Sequence, residues 1–488
     1  MTKQLTEYFL YRWRYILGYA GIGFIIIALL FMAGAFVPGG LTHDEMQSVV
    51  ASSNINLSLK AFDPSIVINL PYHVLQRISI DLLGVSNISI KLPSLILGAM
   101  SAFGMLVLLR MWFRRNVAVI TTILILTTGQ FLFLAQSGSP SIIYAFWSVW
   151  LLVSATMVAR QAKMLTFWKV AFFGAAALSL YTPLSIYILI AMFAAIVLHP
   201  HLRFLVRKLS KPKMVTAGIA ALIITAPLIY AIVRQPSIAF ALLGIPEGDP
   251  SLMANGILIL RQYFDFISPT SSALMTPVYG LGSMALIVLG AFELVATRHT
   301  ARSYLIGAWI LLLSPVLLLN PSFTSVTFLP LMLLMAMGVG ALIGNWYRLF
   351  PRNPYARFAG LIPLSVLIGG MVFTGVDRFT YGYLYDPNTA SNFTRDLVLL
   401  NNTLGEKDRG EIQIITSDRE HAFYSAVASR NKNVSVATAP VPSSAATIIF
   451  THAQHGTQPH PSAAPYRIVA DTKTNNADRF YIYRSVKQ

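Results

Sequence analysis

Apolar residues fall along this chain in runs long enough to cross a bilayer, which takes about 17–25 residues as a helix. They lie near 15–37, 93–112, 117–135, 141–159, 214–233, 278–297, 303–319, 324–345 and 358–376. The stretch 167–198 is too long for one ordinary helix, and Thr182-Pro183 interrupts it, because the residue before a proline is pushed out of helical geometry. Two short spans, near 167–181 and 184–198, account for it and bring the expected number of transmembrane helices to about eleven. Ala33-Gly34-Ala35 has the small residues of a signal-peptidase site. The run before it exceeds the usual ~7–15 residues of a signal sequence, so it reads as a membrane anchor.

The first connection, 38–92, is about 55 residues long and too long to be a simple link. Its pattern predicts two short helices lying on the membrane. The first begins at Leu41-Thr42-His43-Asp44-Glu45-Met46-Gln47, where Thr42 and Glu45 have the spacing of a capping box, and runs toward Ile55. The second has Pro71 in its first turn and ends before Gly84, with Val74, Leu75, Ile78 and Leu82 on one face and Gln76, Arg77 and Asp81 elsewhere. Such helices either bury the apolar face at the headgroup boundary or pack on the bundle; the pattern fits both.

After Asp377 the pattern changes. Asp386-Pro387-Asn388-Thr389 serves as a linker into short β-like runs at 412–415, 434–436, 447–450, 466–469 and 481–483, with helical stretches near 392–403 and 418–429. This predicts a small α/β domain of about 100 residues. The expected division is a membrane part, 1–380, with its first outer loop at 38–92, and a soluble extracytoplasmic domain, 386–488. No internal repeat and no Gly-rich phosphate motif is present.

Composition agrees with a polytopic α-helical membrane protein: 55% of residues are apolar and 11% charged, where soluble proteins have about 25% charged. The absence of cysteine removes disulfide and thiolate chemistry. The net charge of +17 belongs to the membrane part, since residues 1–385 hold 25 Lys and Arg against 10 Asp and Glu, and the tail 11 against 9. That distribution argues against nucleic acid. Basic residues cluster in alternate connections, at Arg110, Arg114 and Arg115, at Arg160, Lys163 and Lys169, from Arg203 to Lys213, at Arg298 and Arg302, and from Arg348 to Arg357. The positive-inside rule makes these cytoplasmic. The amino terminus is then inside a plasma membrane and the tail outside, with eight of the ten acids before residue 386 on the outer side.

Asp44 and Glu45 place two adjacent carboxylates beside the membrane, where charge is kept when it pairs, reaches water or does chemistry. The capping box accounts for Glu45 and leaves Asp44 without a structural task. With this layout, the chain resembles the C-type membrane glycosyltransferases, the group that includes the aminoarabinose transferases of lipid A and the protein O-mannosyltransferases. The resemblance rests on Asp44-Glu45 after the first span, Pro71-Tyr72-His73 at a helix start, Gly84-Val85-Ser86 and Lys91-Leu92-Pro93-Ser94, in that order and spacing. It covers roughly residues 10 to 376 and is specific over 41–115.

The resemblance implies transfer of a sugar from a polyprenyl-phosphate carrier to a lipid, glycan or protein acceptor on the outer face of the membrane. In that chemistry a carboxylate takes the proton of the attacking hydroxyl. Asp44 is the candidate base, with Glu45 orienting it or capping the helix. The leaving phosphate needs cations, and Arg77, Lys91, Arg234, Arg261 and Arg378 are available on the outer side. Each could equally bind headgroups or snorkel. His43, Asp44 and Glu45 could also offer ligands to a divalent ion, Mg or Mn, bridging the carrier phosphate. Three adjacent side chains at a helix start splay apart, however, so no metal ligand is assigned. His421, His452, His455 and His460 lack zinc spacing.

The chain departs from the group at two places. Where members carry an arginine and a further aspartate, it has Gln136-Ser137-Gly138-Ser139-Pro140-Ser141, and no arginine stands among Thr324 to Leu329 before Pro330. The departures keep open a second reading, a non-catalytic membrane scaffold or lipid-binding protein of the same fold acting through its outer domain. A transporter would show paired, interrupted helices in repeated halves; only one interrupted pair occurs here.

Overall fold

The computed structural model describes residues 20–21, 23–32, 40–55, 64–208, 211–246, 248–266, 278–349, 354–385, 393–394, 396–404, 411–430, 433–439, 447–455, 465–471 and 478–484. The chain opens with α1 (Gly23–Met32), then α2 (His43–Ser53), a 3-10 turn at Pro64–Val67 and α3 (Leu70–Leu83). The bundle follows as α4 (Asn87–Trp112), α5 (Arg115–Leu126), α6 (Gly129–Gln136), α7 (Ser141–Ala159), α8 (Leu165–Ser179), α9 (Ser185–Leu198) and α10 (Pro200–Arg207). It continues with α11 (Lys211–Arg234), α12 (Ser237–Leu243), α13 (Leu252–Phe264), α14 (Leu281–Ala296), α15 (Ala301–Leu319), α16 (Phe328–Leu349) and α17 (Pro354–Tyr385).

Among the described residues, six helices are long and apolar enough to cross a membrane, or eight if the bent pairs α5/α6 and α9/α10 each form one span. Their bends are 62° and 98°. The shorter apolar helices α1, α8 and α14 fall on the remaining apolar runs of the sequence, so every predicted run holds helix. The break at Thr182-Pro183 is present: α8 stops at Ser179 and α9 starts at Ser185. There Leu184 adopts a positive φ of 64°, costly for a branched side chain, and its N–H donates to the Leu242 carbonyl at 2.8 Å.

Close packing of α14 on α16 depends on paired glycines. A Cβ added at Gly290 would lie 1.8 Å from the Leu334 carbonyl oxygen, and one at Gly338 2.0 Å from that of Leu286. Apolar attraction between helices is weak in lipid, so small residues that let backbones touch replace it.

Both helices between α1 and the bundle, α2 and α3, are built by local signals. Thr42 accepts the Glu45 N–H at 3.3 Å while Glu45 Oε2 accepts the Thr42 N–H at 2.7 Å, closing the capping box of α2. Pro71 sits in the first turn of α3, and Gly84 ends it at a φ of 74°. The faces of α3 are distributed as the sequence predicts. Leu75, Ile78, Leu82 and Leu83 are exposed, Leu82 by 78%, whereas Tyr72, His73, Gln76 and Ser79 are buried. The helix thus turns its polar side inward and offers its apolar side outward, as an interfacial helix does.

The tail carries α18 (Asp396–Leu404), β1 (Ile412–Ile415), α19 (Asp418–Ala428), β2 (Val434–Ala437), β3 (Thr447–Phe450), β4 (Pro465–Asp471) and β5 (Asp478–Arg484). These are the strands and helices its sequence pattern predicts. They form one mixed sheet in the order β2-β1-β3-β5-β4, with β1 parallel to β2 and β3, and β5 antiparallel to β3 and β4.

Its core is continuous with α2, α3 and the start of α4. Leu41, Met46, Val49, Ile80 and Ile90 cluster with Leu397, Leu400, Ile412, Phe423 and Val427. Polar ties follow the same seam. Leu41 and Thr394 exchange backbone hydrogen bonds at 2.8 and 2.9 Å, Asn401 donates to the Val85 carbonyl at 3.1 Å, and Arg430 meets Asp81 at 2.5 Å and donates to the Ile80 carbonyl.

Candidate functional site

The acidic pair splits between two environments. Helical geometry turns successive side chains by about 100°, so Glu45 enters the protein and Asp44 leaves it. Glu45 is 1% exposed, and besides capping α2 its Oε1 accepts the Gly138 N–H at 2.5 Å. Lys91, 0% exposed, holds its Nζ 3.8 Å from the same Oε1 and donates to Gln136 Oε1 at 3.1 Å. The pair is therefore a buried ion pair whose remaining valences are met by hydrogen bonds. Gly138 makes it possible, since a Cβ there would lie 2.6 Å from Ile90 Cγ2 and 3.3 Å from Glu45 Oε1. Asp44 is exposed in the first turn of α2, and no described residue pairs with its carboxylate.

The turn that lacks the group's charges thus supplies neutral partners instead, a glutamine side chain and a glycine N–H. Gln76, which the sequence places merely off the apolar face of α3, ties these elements together. Its amide nitrogen donates to the Gly138 carbonyl at 2.8 Å and the Ile90 carbonyl at 3.2 Å, while its oxygen accepts from Ser48 at 2.8 Å and lies 2.6 Å from the Ser52 hydroxyl. Beside it, Tyr72 meets Ser94 at 2.8 Å, and burial, with the charge of Glu45 adding, pushes its phenol well above the usual range. Neither Gln76 nor Gln136 carries a sequence signal; only contacts between distant segments reveal them.

His73 Nδ1 lies 3.1 Å from the Ser52 hydroxyl, and burial lowers the His73 pKa from 6.5 to about 4. A histidine held neutral in the fold binds more protons when unfolded, so its contribution is complete above about pH 6.5 and is lost as pH falls toward 4. Thermal unfolding should therefore show about 2 kcal/mol less stability at pH 5 than at pH 7. A His73→Asn protein should lose this slope; an unchanged slope would place the acid sensitivity elsewhere.

The structure does not bring the five predicted cations together. Arg77 donates to the carbonyls of Ser53 at 3.2 Å and Ile55 at 2.5 Å and lies 3.5 Å from Asp81. Arg234 donates to the Tyr230 hydroxyl at 3.2 Å, and Arg261 is exposed on α13. Arg378, on α17, lines a cavity of about 330 Å³. Lys91 is the one of the five joined to the acidic pair.

For a divalent ion, residues 43–45 do not fit. Asp44 points away from buried Glu45, and His43 Nε2 lies 2.9 Å from the Gln47 amide nitrogen. Among the described residues, no group of three or more His, Asp or Glu gathers for a metal. The segment before Pro330 is neutral in structure as in sequence, with Tyr263 and Thr327 hydroxyls 2.5 Å apart.

Residues 71–230 match the dolichyl-phosphate-mannose-protein mannosyltransferase family. No curated protein sequence matches the chain. Among solved structures, the Archaeoglobus fulgidus oligosaccharyltransferase tethered with an acceptor peptide aligns with a TM-score of 0.52 and 13% identity over 86% of this chain. The alignment spans 64% of that protein's length, under two thirds of it. ArnT from Cupriavidus metallidurans in the apo state aligns with a TM-score of 0.51 and 11% identity, over 96% of this chain and 98% of that one. ArnT bound to undecaprenyl phosphate gives 0.49 and 12%, over 98% and 99%. In fold over most of its length, and in its family match over 71–230, the chain resembles the C-type membrane glycosyltransferases, as residues 41–94 of its sequence imply.

Proposed function

We propose that the chain is a membrane glycosyltransferase that moves a hexosyl or pentosyl group from a polyprenyl-phosphate carrier to an acceptor hydroxyl, with Asp44 as general base. One observation carries the reading: of two adjacent carboxylates, Glu45 is fully engaged by Thr42, Gly138 and Lys91, while Asp44 stands exposed at the same helix start. Capping alone gives the second acid no more than a favourable first-turn charge, worth a few tenths of a kcal/mol. The match over 71–230 to a family named for dolichyl-phosphate-mannose supports a polyprenyl-phosphate donor.

The acceptor hydroxyl attacks the anomeric carbon as Asp44 takes its proton, and the bond to the carrier phosphate breaks with its electron pair leaving on that phosphate. Such base catalysis contributes roughly 10²–10⁴ in rate. Of the five candidate cations we assign Lys91 to the departing phosphate, acting on it through its field from the buried polar cluster under α2; charge stabilisation of this kind is usually the largest single catalytic term. Glu45 then acts as a positioning residue, holding Lys91 and the start of α2. The mostly polar inner face of α3 covers the site, and its apolar outer face rests at the headgroup boundary where the carrier lies.

This reading takes eleven spans in a plasma membrane, the amino terminus inside, and residues 386–488 as a domain outside, seated over the outer loop. A reporter active only in the cytoplasm, fused after Gln488, should be silent; a strong signal would break the span count and the placement of the site. For the reaction itself, purified protein is given radiolabelled polyprenyl-phosphate sugar and a cell-envelope extract. Release of carrier phosphate with label on an acceptor is expected. No release would favour the lipid-binding scaffold, for which the neutral turn at 136–141 speaks.

A further inference from the structure

At 11 residues α2 is too short to be stable alone, so its orientation is set by what packs on it. The bundle holds one line of side chains. Glu45 meets Gly138 and Lys91, and Ser48 and Ser52 meet Gln76. Positions i, i+3 and i+7 run along one side of a helix, and contacts along one side leave it free to roll. The tail holds a second line. Met46 and Val49 each stand one residue further on, turned by ~100° about the axis, and are buried in one core with Phe423 and Val427 of α19. Asp44 lies in the remaining sector. Its carboxylate is exposed and no described residue pairs with it, so the backbone of α2 decides where it stands.

The tail also reaches both ends of α2. Three residues before Asp44, Leu41 and Thr394 form an antiparallel bridge through their exchanged backbone hydrogen bonds. Gly40 allows that approach, since a Cβ there would lie 2.8 Å from the Thr394 carbonyl oxygen and 3.2 Å from Phe393 Cβ. At the other end Arg77 donates to the Ser53 and Ile55 carbonyls and lies 3.5 Å from Asp81. Arg430 meets the same Asp81 from the tail at 2.5 Å and donates to the Ile80 carbonyl. One carboxylate thus joins the end of α19 to the last carbonyls of α2.

We propose that the tail is a clamp on α2, with Thr394 and Arg430 as positioning residues that fix the roll of the helix and thereby the place of the Asp44 carboxylate. The proposal rests on the reading of Asp44 as general base. With side chains a helix is ~5–6 Å in radius, so a roll of about 10° carries the carboxylate ~1 Å. A displacement of that size costs up to about 10²-fold in rate. Thr394 acts through Leu41, and Arg430 through Asp81 and Arg77; neither touches the reacting atoms. Lys91, assigned to the donor phosphate, is held on the bundle side. Loosening the clamp therefore slows the reaction of bound donor and leaves donor binding in place.

The test uses the full chain. Gly40→Ala, which pushes Thr394 away from Leu41, and Arg430→Ala should each lower kcat by roughly tenfold or more per folded molecule, with kcat/KM for the polyprenyl-phosphate sugar falling in the same proportion. Arg430→Lys, which keeps a charge opposite Asp81, should recover part of the loss. Added to Asp44→Asn, Arg430→Ala should cost nothing further, because a residue that acts through the base has no effect once the base is gone. The chain has no cysteine, so a spin label on Gln47→Cys, exposed on α2, reads the clamp without the reaction; its motion should increase in both single variants. An unchanged label spectrum in folded Gly40→Ala and Arg430→Ala protein would overturn the clamp. A freer label with unchanged kcat, or a loss that multiplies with that of Asp44→Asn, would overturn the positioning of the base. Normal turnover in Asp44→Asn would overturn the base and the positioning role with it, and the label distinguishes that failure from a failure of the clamp.

Discussion

Asp44→Asn lowers sugar transfer by roughly 10²–10⁴ and leaves stability within about 0.5 kcal/mol of the parent protein. The substitution keeps the shape of the side chain and most of its hydrogen-bonding capacity while removing its ability to take a proton. Little stability is at stake, because the Asp44 carboxylate is exposed and no described residue pairs with it. Its one structural contribution is a favourable charge in the first turn of α2, worth a few tenths of a kcal/mol. Activity and stability therefore separate cleanly at this position, and both are to be measured on the same preparation. A folded Asp44→Asn protein with normal turnover would remove the candidate base. Asp81 would then be a poor replacement, since Arg77 and Arg430 both pair with it. Asp265, and Asp63, which lies outside the described residues, would be tested next.

What the sequence reveals about this site follows from the range of the interactions involved. The starts of α2 and α3 are legible because capping boxes and first-turn prolines act within four residues, and Thr42, Glu45 and Pro71 suffice to place them. The break before α9 is legible for the same reason, in Thr182-Pro183. The helical runs are legible because a bilayer demands about 20 apolar residues wherever a span occurs. The division of labour within Asp44-Glu45 is not, because what buries Glu45 is Gly138, 93 positions away, and Lys91 on another helix.

The turn 136–141 misleads for a related reason. Searched for charge, it looks empty; in the fold its glutamine and its glycine N–H complete the ion pair. Likewise the pattern of α3 identifies an apolar face without saying that Gln76 on the other face joins three elements. The tail's strands are legible from local β-patterning, whereas the sharing of its core by Leu41, Met46 and Val49 is a property of the assembled chain. Gly290 and Gly338 give no local sign that two backbones meet there.

The Glu45 and Lys91 pair yields the second large effect, and it should fall on stability. Removing one partner of a buried ion pair strands the other charge and costs about 3–5 kcal/mol, so Glu45→Leu and Lys91→Met should each unfold far more readily than the parent. A capping box alone would tolerate Glu45→Gln. Here both carboxylate oxygens already have a backbone donor, Gly138 at 2.5 Å and Thr42 at 2.7 Å, and an amide offers only one acceptor oxygen. Glu45→Gln should therefore cost well over the ~1 kcal/mol of a lost cap. The double change Glu45→Leu with Lys91→Met removes both charges together, and apolar replacement of a buried pair is often close to neutral. It should recover much of the stability lost by either single change, giving a coupling energy of a few kcal/mol in a double-mutant cycle. Sugar transfer should stay low in the double variant if Lys91 favours the departing phosphate, even with the fold restored. Single-site costs that simply add would mean that the 3.8 Å contact is incidental and that Glu45 serves through Gly138 and Thr42 alone.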